Sequence, residues 1–550
     1  MIDDLWYKNA IIYCLDVEKF VDGDDDGVGD FVGLTRQLDF LAGLGVTCVW
    51  LQPFYPSPNR DNGYDVSDFY GVHPRHGTLG DFVEFMNHAK QLGLRVIVDL
   101  VANHTSNEHP WFEAARKDPR SPYRDWYVWS KTRPKRHDEG MVFPGVQSTT
   151  WTRDAAASAY YFHRFYEFQP DLDTRNPAVR REILKVMGFW LELGVSGFRM
   201  DAVPFLISEK GPRVGAKPAK QDFDLLQEMR DFLQWRRGDA ILLAEANVVP
   251  RESLDYFGEK GDRLQMMLNF AVNQRVFYAL ATGDVRPLVK ALEDTRERPR
   301  NAQWVNFLRS HDELDLGRLT ERQRQRVFDA FAPSEDMRLY GRGIRRRLAP
   351  MLDNDRRRLE HAFSLMFTLP GTPMLQYGDE IGLGDDLSLP EREAARTPMQ
   401  WSADRNGGFS RARRPVRPVI DDPIYGYRRV NVEAQRRDRD SLLNWMERTI
   451  RMRRECPEIS WGAFRVVPAE PGVLVMRYEW DDHALVIVHN FHARPCVVRL
   501  DAKAAGHRVL VDLLGRADSR ADARGRHTIA LDAYGYRWLR AGGVDRDVAR

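Results

Sequence analysis

Along this chain, short runs of branched apolar residues alternate with longer segments in which apolar positions recur every three to four residues. That alternation is the signature of repeated βα units building a parallel sheet. Eight such runs are found: IIYCLDV from Ile11, VTCVWLQP from Val46, RVIVDLV from Arg95, SGFRMDAV from Ser196, AILLAEA from Ala240, LQMMLNF from Leu264, QWVNFLRSHD from Gln303 and TPMLQYGDE from Thr372. Helices are predicted between them, among them GDFVEFMNHAKQLG, AVRREILKVMGFWLELG and DFDLLQEMRDFLQWRRG, each closing on a Gly before the next strand. The count predicts an α/β fold, a (β/α)8 TIM barrel, with every strand's carboxyl end on one face.

Two spacings break the rhythm. From 104 to 168 the chain is rich in Trp, Tyr and Pro and too long for a barrel connection, which predicts a small inserted domain after the third strand. From Gly382 to Tyr427 a Gly-, Pro- and Arg-rich stretch predicts a long structured loop, and SLLNWMERTIRMRREC a last amphipathic helix. Alternating runs such as VLVMRYEW and HALVIVHNF then predict a C-terminal antiparallel β-sandwich. The expected organisation is a barrel over 1–103 and 169–455, an insert over 104–168 and a β domain over 456–550.

Composition narrows the partners. Among 550 residues, 81 basic and 80 acidic side chains leave a formal charge of +1, so no overall field favours nucleic acid or anionic lipid, and a small neutral ligand is expected. The start, MIDDLWYKNA, lacks the basic region of a secretion signal and no run is long enough to span a membrane, so a cytoplasmic location is expected. Cys14, Cys48, Cys456 and Cys496 form no close pair and are expected as reduced thiols. Self-association into a homo-oligomer is left open.

The strand ends carry the chemistry. The third ends in DLVANH (Asp99, Asn103, His104), the fourth in GFRMDAV (Arg199, Asp201), the fifth in LLAEA (Glu245) and the seventh in RSHDE (His311, Asp312). Breaking a glycosidic bond needs an ionised carboxylate near the anomeric carbon and a carboxylic acid near the leaving oxygen. A retaining enzyme keeps the two roughly 5 Å apart. Neighbouring strands lie about 4.8 Å apart, so Asp201 and Glu245 suit that pair. Arg199, two residues before Asp201, shares its face and is expected to lower its pKa, while a more enclosed Glu245 keeps a raised one. Asp99 and Asn103 are expected to brace Arg199 and the adjoining loop, or to serve the site directly.

These four segments, with QPDLD from Gln169, resemble the conserved regions of glycoside hydrolase family 13, the α-amylase superfamily. The resemblance implies Asp201 as nucleophile, Glu245 as general acid/base and Asp312 as a third carboxylate bonding the sugar's hydroxyls, with His104, His311, Arg199 and Phe165 among the substrate contacts. In GYDVSD, Tyr64 offers a stacking platform and Asp65 a hydroxyl acceptor. Relatives attacking a terminal glucose use such an Asp with an Arg after the eighth strand, here matched to Arg396. A pocket closed at one end is implied. Asp22, Asp24, Asp26 and Asp30 in DGDDDGVGD alternate like the ligands of a calcium loop, and a structural Ca2+ is expected there.

Segments such as LQPFYPSPNRDNGYDVSDFYGVHPRHGTL, GIRRRLAPMLDNDRRR and RTPMQWSADRNGGFSR resemble the family's maltose-isomerising trehalose synthases. That implies conversion of maltose to trehalose, with an α-glucosidase or transglucosylase acting on maltose, sucrose or short oligosaccharides as the alternative. GIRRRLAP is expected either as a lid or as solvated surface. The stretch from Ile207 to Asp222 departs from those enzymes. A non-catalytic relative is disfavoured because all three carboxylates are present.

Overall fold

The computed structural model describes residues 3–211, 220–501, 508–515 and 517–541. Eight parallel strands close into a barrel in sequence order: Ile12–Leu15, Cys48–Leu51, Arg95–Leu100, Gly197–Met200, Ile241–Ala244, Met266–Leu268, Gln303–Phe307 and Thr372–Gln376. All eight coincide with the predicted runs. The strands are apolar on both faces because each face is buried. Ile12, Cys14, Trp50, Ile97, Ile241, Leu243, Met266, Val305 and Met374 fill the interior, whereas Ile11, Tyr13, Val49 and Val96 pack outward against helices.

The three predicted helices form, as Leu79–Gln91, Pro177–Glu192 and Phe223–Arg236. Thr78 and Asp81 make a reciprocal capping box at the first, and Asn176 caps the second ahead of Pro177. Cys14, Cys48 and Cys456 are buried, Cys496 is half-buried, and none is in a disulfide.

The insert contributes a small antiparallel sheet of Trp129–Ser130, Ala159–Phe162 and Trp151–Asp154 above the barrel's carboxyl end. Its returning chain pairs Asp171 with His104 and Leu172 with Tyr127, which ties it to the third strand's end. After the seventh strand, Leu314–Asp315 pairs with Gly343–Ile344, which in turn pairs with Arg338–Leu339. Sequence patterning missed this hairpin because its strands are two residues long. The last barrel helix, Leu442–Arg454, leads into a six-stranded antiparallel sheet packed against a pair of strands, Cys496–Asp501 and Arg526–Leu531. Val475, Val486, Val488, Val498, Ile529 and Leu539 form the core between them.

The arginines of GIRRRLAP are not solvated surface, and Gly343–Ile344 at its start belongs to the short hairpin after the seventh strand. Arg347 is fully buried and donates to the carbonyls of Ala395 and Tyr377, and Arg345 donates to that of Leu389 (2.8 Å). These arginines brace the loop after the eighth strand. Of the divergent stretch 207–222, positions 212–219 lie outside the described residues, as does the C-terminal end of the expected β domain, 542–550. No helix among the described residues is long and apolar enough to cross a membrane.

Candidate active site

Register places the two central carboxylates. Arg199 faces Leu243 and Met200 faces Ala244 across the fourth and fifth strands, so the next pair in line is Asp201 and Glu245. Ala202 turns the chain sharply at φ 48°, in the left-handed region, and its N–H donates to Glu245 Oε2 (3.3 Å). A non-glycine residue held there costs on the order of 1–3 kcal/mol, and the turn aims Asp201 into the barrel mouth. Arg199, 1% exposed, joins the carboxylates: Nη1 donates to Asp201 Oδ1 (2.8 Å) and Asp99 Oδ1 (2.5 Å), and Nη2 to Glu245 Oε2 (2.6 Å). Trp50 Nε1 donates to the other oxygen of Asp99 (3.0 Å). Asp99 therefore braces Arg199. Tyr64 O–H meets His311 Nε2 at 2.8 Å, and the two rings stack with centroids 5.7 Å apart.

Arg199 does pull Asp201 down, as expected, but it does not prevail. Burial, aided by the charges of Glu245, Asp99 and Asp312, pushes Asp201 well above the ordinary carboxylate range against the pull of Arg199. Nor is Glu245 the more enclosed: its side chain is 25% exposed against 10% for Asp201. Burial also acts to raise Asp312, but His311, Arg392 and Arg396 outweigh it and hold that carboxyl below its usual range.

One end of the site is closed by a clamp the sequence located only in part. Arg392 donates to Asp312 Oδ1 (2.7 Å) and Asp61 Oδ1 (2.8 Å), and all three line a cavity of about 820 Å³. Asp65 does not line it. Its carboxylate is fully buried in its own loop, accepting from Ser57 Oγ and the backbone N–H of Arg60 and Asp61, and Asp61 takes the place expected for it. Arg396 reaches Asp312 Oδ1 (3.0 Å) and the carbonyl of His311 (2.6 Å) from behind the cavity wall, so Arg392 is the arginine facing inward. Tyr64, His104, Phe165, Arg199 and His311 line the same cavity with Asp201, Glu245 and Asp312.

A roof crosses above. Arg342, from the short hairpin, donates to the Val142 carbonyl of the insert (3.0 Å) and lies 3.6 Å from Asp315 and 3.8 Å from Glu313. Asp315 in turn accepts from Asn247 Nδ2 (3.0 Å), two residues beyond Glu245. Phe143 packs on Tyr340 (5.1 Å between centroids) and under the Arg392 guanidinium (5.1 Å).

At the other predicted position, Asp22, Asp24 and Asp30 bring one carboxylate oxygen each within 4.8 Å of one another, a set suited to a hard cation. Burial and the neighbouring charges of Asp26, Asp30 and Asp22 raise Asp24. Asp26 stands outside this group, its Oδ1 taken by the Val28 N–H (2.7 Å).

Comparison with known proteins follows the same lines. A family model described as the alpha amylase catalytic domain matches residues 14–332 and 344–462, and one described as the sucrose hydrolase-like C-terminal domain matches 483–540. The chain is 43% identical over 542 residues to a trehalose synthase of Thermus thermophilus, covering 97% of this chain but 55% of that protein, about half its length. It is 41% identical over 546 residues to the trehalose synthase/amylase TreS of Mycobacterium tuberculosis, covering 98% and 90%. A solved structure of a MutB inactive double mutant in complex with isomaltulose matches with a TM-score of 0.79 at 25% identity, covering 97% of this chain and 99% of that one.

Proposed function

The chain belongs to the alpha-amylase family, and from that premise we propose that it transfers an α-linked glucosyl unit between hydroxyls of small glucosides, with interconversion of maltose and trehalose as the principal reaction. Asp201, in its ionised form, attacks the anomeric carbon as the glycosidic bond breaks. Glu245 gives its proton to the leaving oxygen. Positive charge developing on the ring is stabilised by the buried carboxylates around it. The released glucose stays in the cavity and turns. Glu245 then takes the proton of its anomeric hydroxyl, that oxygen attacks the glucosyl carbon, and Asp201 departs, leaving an α,α-1,1 bond.

One observation carries this reading: a single guanidinium, Arg199, bonds both Asp201 and Glu245 at the floor of a cavity whose end is blocked by Asp61, Arg392 and Asp312. Such an end admits one terminal glucose and disfavours internal cleavage of a polymer. The roof through Arg342 supports retention of the second sugar and exclusion of water. Maltose, trehalose and sucrose are the glucosides to test. Incubation with maltose, followed by NMR, should show trehalose as the main product; free glucose alone would favour the hydrolytic alternative, which the amylase half of the mycobacterial relative's name also represents.

Calcium belongs to the same proposal. Asp22, Asp24 and Asp30 would hold it, and the ion would stiffen the loop after the first strand, neutralising its clustered charge without entering the reaction.

A further inference from the structure

Lys210 is buried, and its partners are all at the insert junction: Nζ donates to Asn103 Oδ1 (2.9 Å) and to the Asn103 carbonyl (2.9 Å), and lies 3.2 Å from Asp171 Oδ2. None of the three catalytic carboxylates touches it. Asn103 is the neighbour of His104, whose ring lines the cavity. Asn103 Nδ2 lies 3.2 Å from His104 Nδ1, and His104 Nε2 lies 3.2 Å from the Tyr64 carbonyl oxygen.

The chemistry of these atoms runs in one direction. An ammonium has donors only, so the Asn103 atom facing it is the oxygen, and the amide nitrogen is forced toward His104. An amide nitrogen also only donates, so His104 Nδ1 must accept and carry no proton. The ring proton sits on Nε2, where the Tyr64 carbonyl receives it. From this juxtaposition we propose that Lys210 is a positioning residue that, by fixing the amide of Asn103, locks His104 as the neutral Nε2–H tautomer, so that the one ring N–H, aimed at the Tyr64 carbonyl, is the only polar hydrogen the ring can share with a sugar hydroxyl and no free ring lone pair is offered to it.

Burial and the Lys210 charge both depress His104, to about 4, against Asp171, in keeping with a ring that stays neutral. Asp171 completes the junction: its Oδ1 accepts from the Arg164 N–H (2.8 Å), so the same ammonium also anchors the returning chain of the insert.

The inference rests on the glucoside reading only for its kinetic consequence; the tautomer is testable without substrate. Long-range proton–nitrogen NMR on [15N]histidine-labelled protein reports ring tautomers, and the His104 signals are identified by their loss in H104Q. The wild type should show protonated Nε2 and bare Nδ1. A bare Nε2 there would overturn the proposal outright. N103D replaces the donor with an acceptor and should invert the tautomer and raise the pH at which His104 protonates; an unchanged tautomer would also overturn it. K210M should give a mixture of tautomers and a roughly fivefold rise in KM for maltose with kcat less affected, the scale of one hydrogen bond, while K210R should retain the wild-type spectrum. A K210M protein with an unmixed Nε2–H signal would show that Lys210 does not set the tautomer. A correct tautomer with no action on any glucoside would refute the functional reading and leave the lock standing.

Discussion

Arg342→Ala tests the roof. In the structure this side chain ties the hairpin after the seventh strand to the insert through one hydrogen bond to the Val142 carbonyl, and is held in place by two longer ion pairs to Asp315 and Glu313 of its own segment. A hydrogen bond from a charged donor contributes about 1.5–3 kcal/mol when shielded. The Arg342 side chain is 26% exposed, and solvent screening brings the net contribution to about 1 kcal/mol. That energy corresponds to roughly a fivefold change in an equilibrium constant. If water reaches the glucosyl intermediate only when the roof is open, the open population and the hydrolysed fraction rise together. The expected result is about a fivefold increase in the glucose-to-trehalose ratio from maltose, with total maltose consumption changed far less, read by NMR of the product mixture. An unaltered ratio, in a variant of unaltered melting temperature, would refute the link between this contact and water exclusion.

Arg392→Ala leaves Asp61 and Asp312 without their shared partner and opens the closed end; kcat/KM for maltose should fall about 10- to 100-fold, and the preference for maltose over maltotriose should narrow, whereas an unchanged chain-length preference would contradict the clamp. Burial raises Glu380, bonded to Tyr13 O–H (2.8 Å), to about 7. The folded state therefore holds a proton the unfolded chain has released between roughly pH 4.5 and 7, and stability falls by about 3 kcal/mol as pH rises through that window. The melting temperature of Glu380→Gln should gain a few degrees on the wild type between pH 5 and 8, and parallel curves would count against the assignment. Removing calcium with a chelator should lower the melting temperature, and restoring Ca2+ should recover it; Asp24→Asn should abolish the response, and an indifferent wild type would dismiss the ion.

The barrel was legible because its strands are buried on both faces, which leaves unbroken apolar runs ending in polar residues. The central pair was legible because strand register carries Asp201 and Glu245 to the same height. Loops obey no such period. Asp61 and Asp65 flank a turn through Asn62 (φ 47°) and Gly63 (φ 85°), and only this reversal returns Asp61 to the cavity while sealing Asp65 in its own loop. Arg392 and Arg396 sit one helical turn apart across Glu391–Ala395 and both reach Asp312, so spacing alone did not reveal which faced inward. GIRRRLAP reads equally as a lid or as solvated surface, yet Arg347 is buried and donates to carbonyls 30 and 48 positions away. Asp201's raised proton affinity likewise depends first on its burial in the folded barrel and then on Glu245, Asp99 and Asp312, charges brought in from other strands.

Covalent trapping examines the proposed nucleophile most directly. Glu245→Gln, given α-glucosyl fluoride, a donor whose leaving group needs no proton, should gain the mass of one glucosyl unit, mapped by peptide analysis to Asp201, and added azide should release α-glucosyl azide. An adduct on another side chain, or a β-configured azide product, would contradict a retaining mechanism through Asp201.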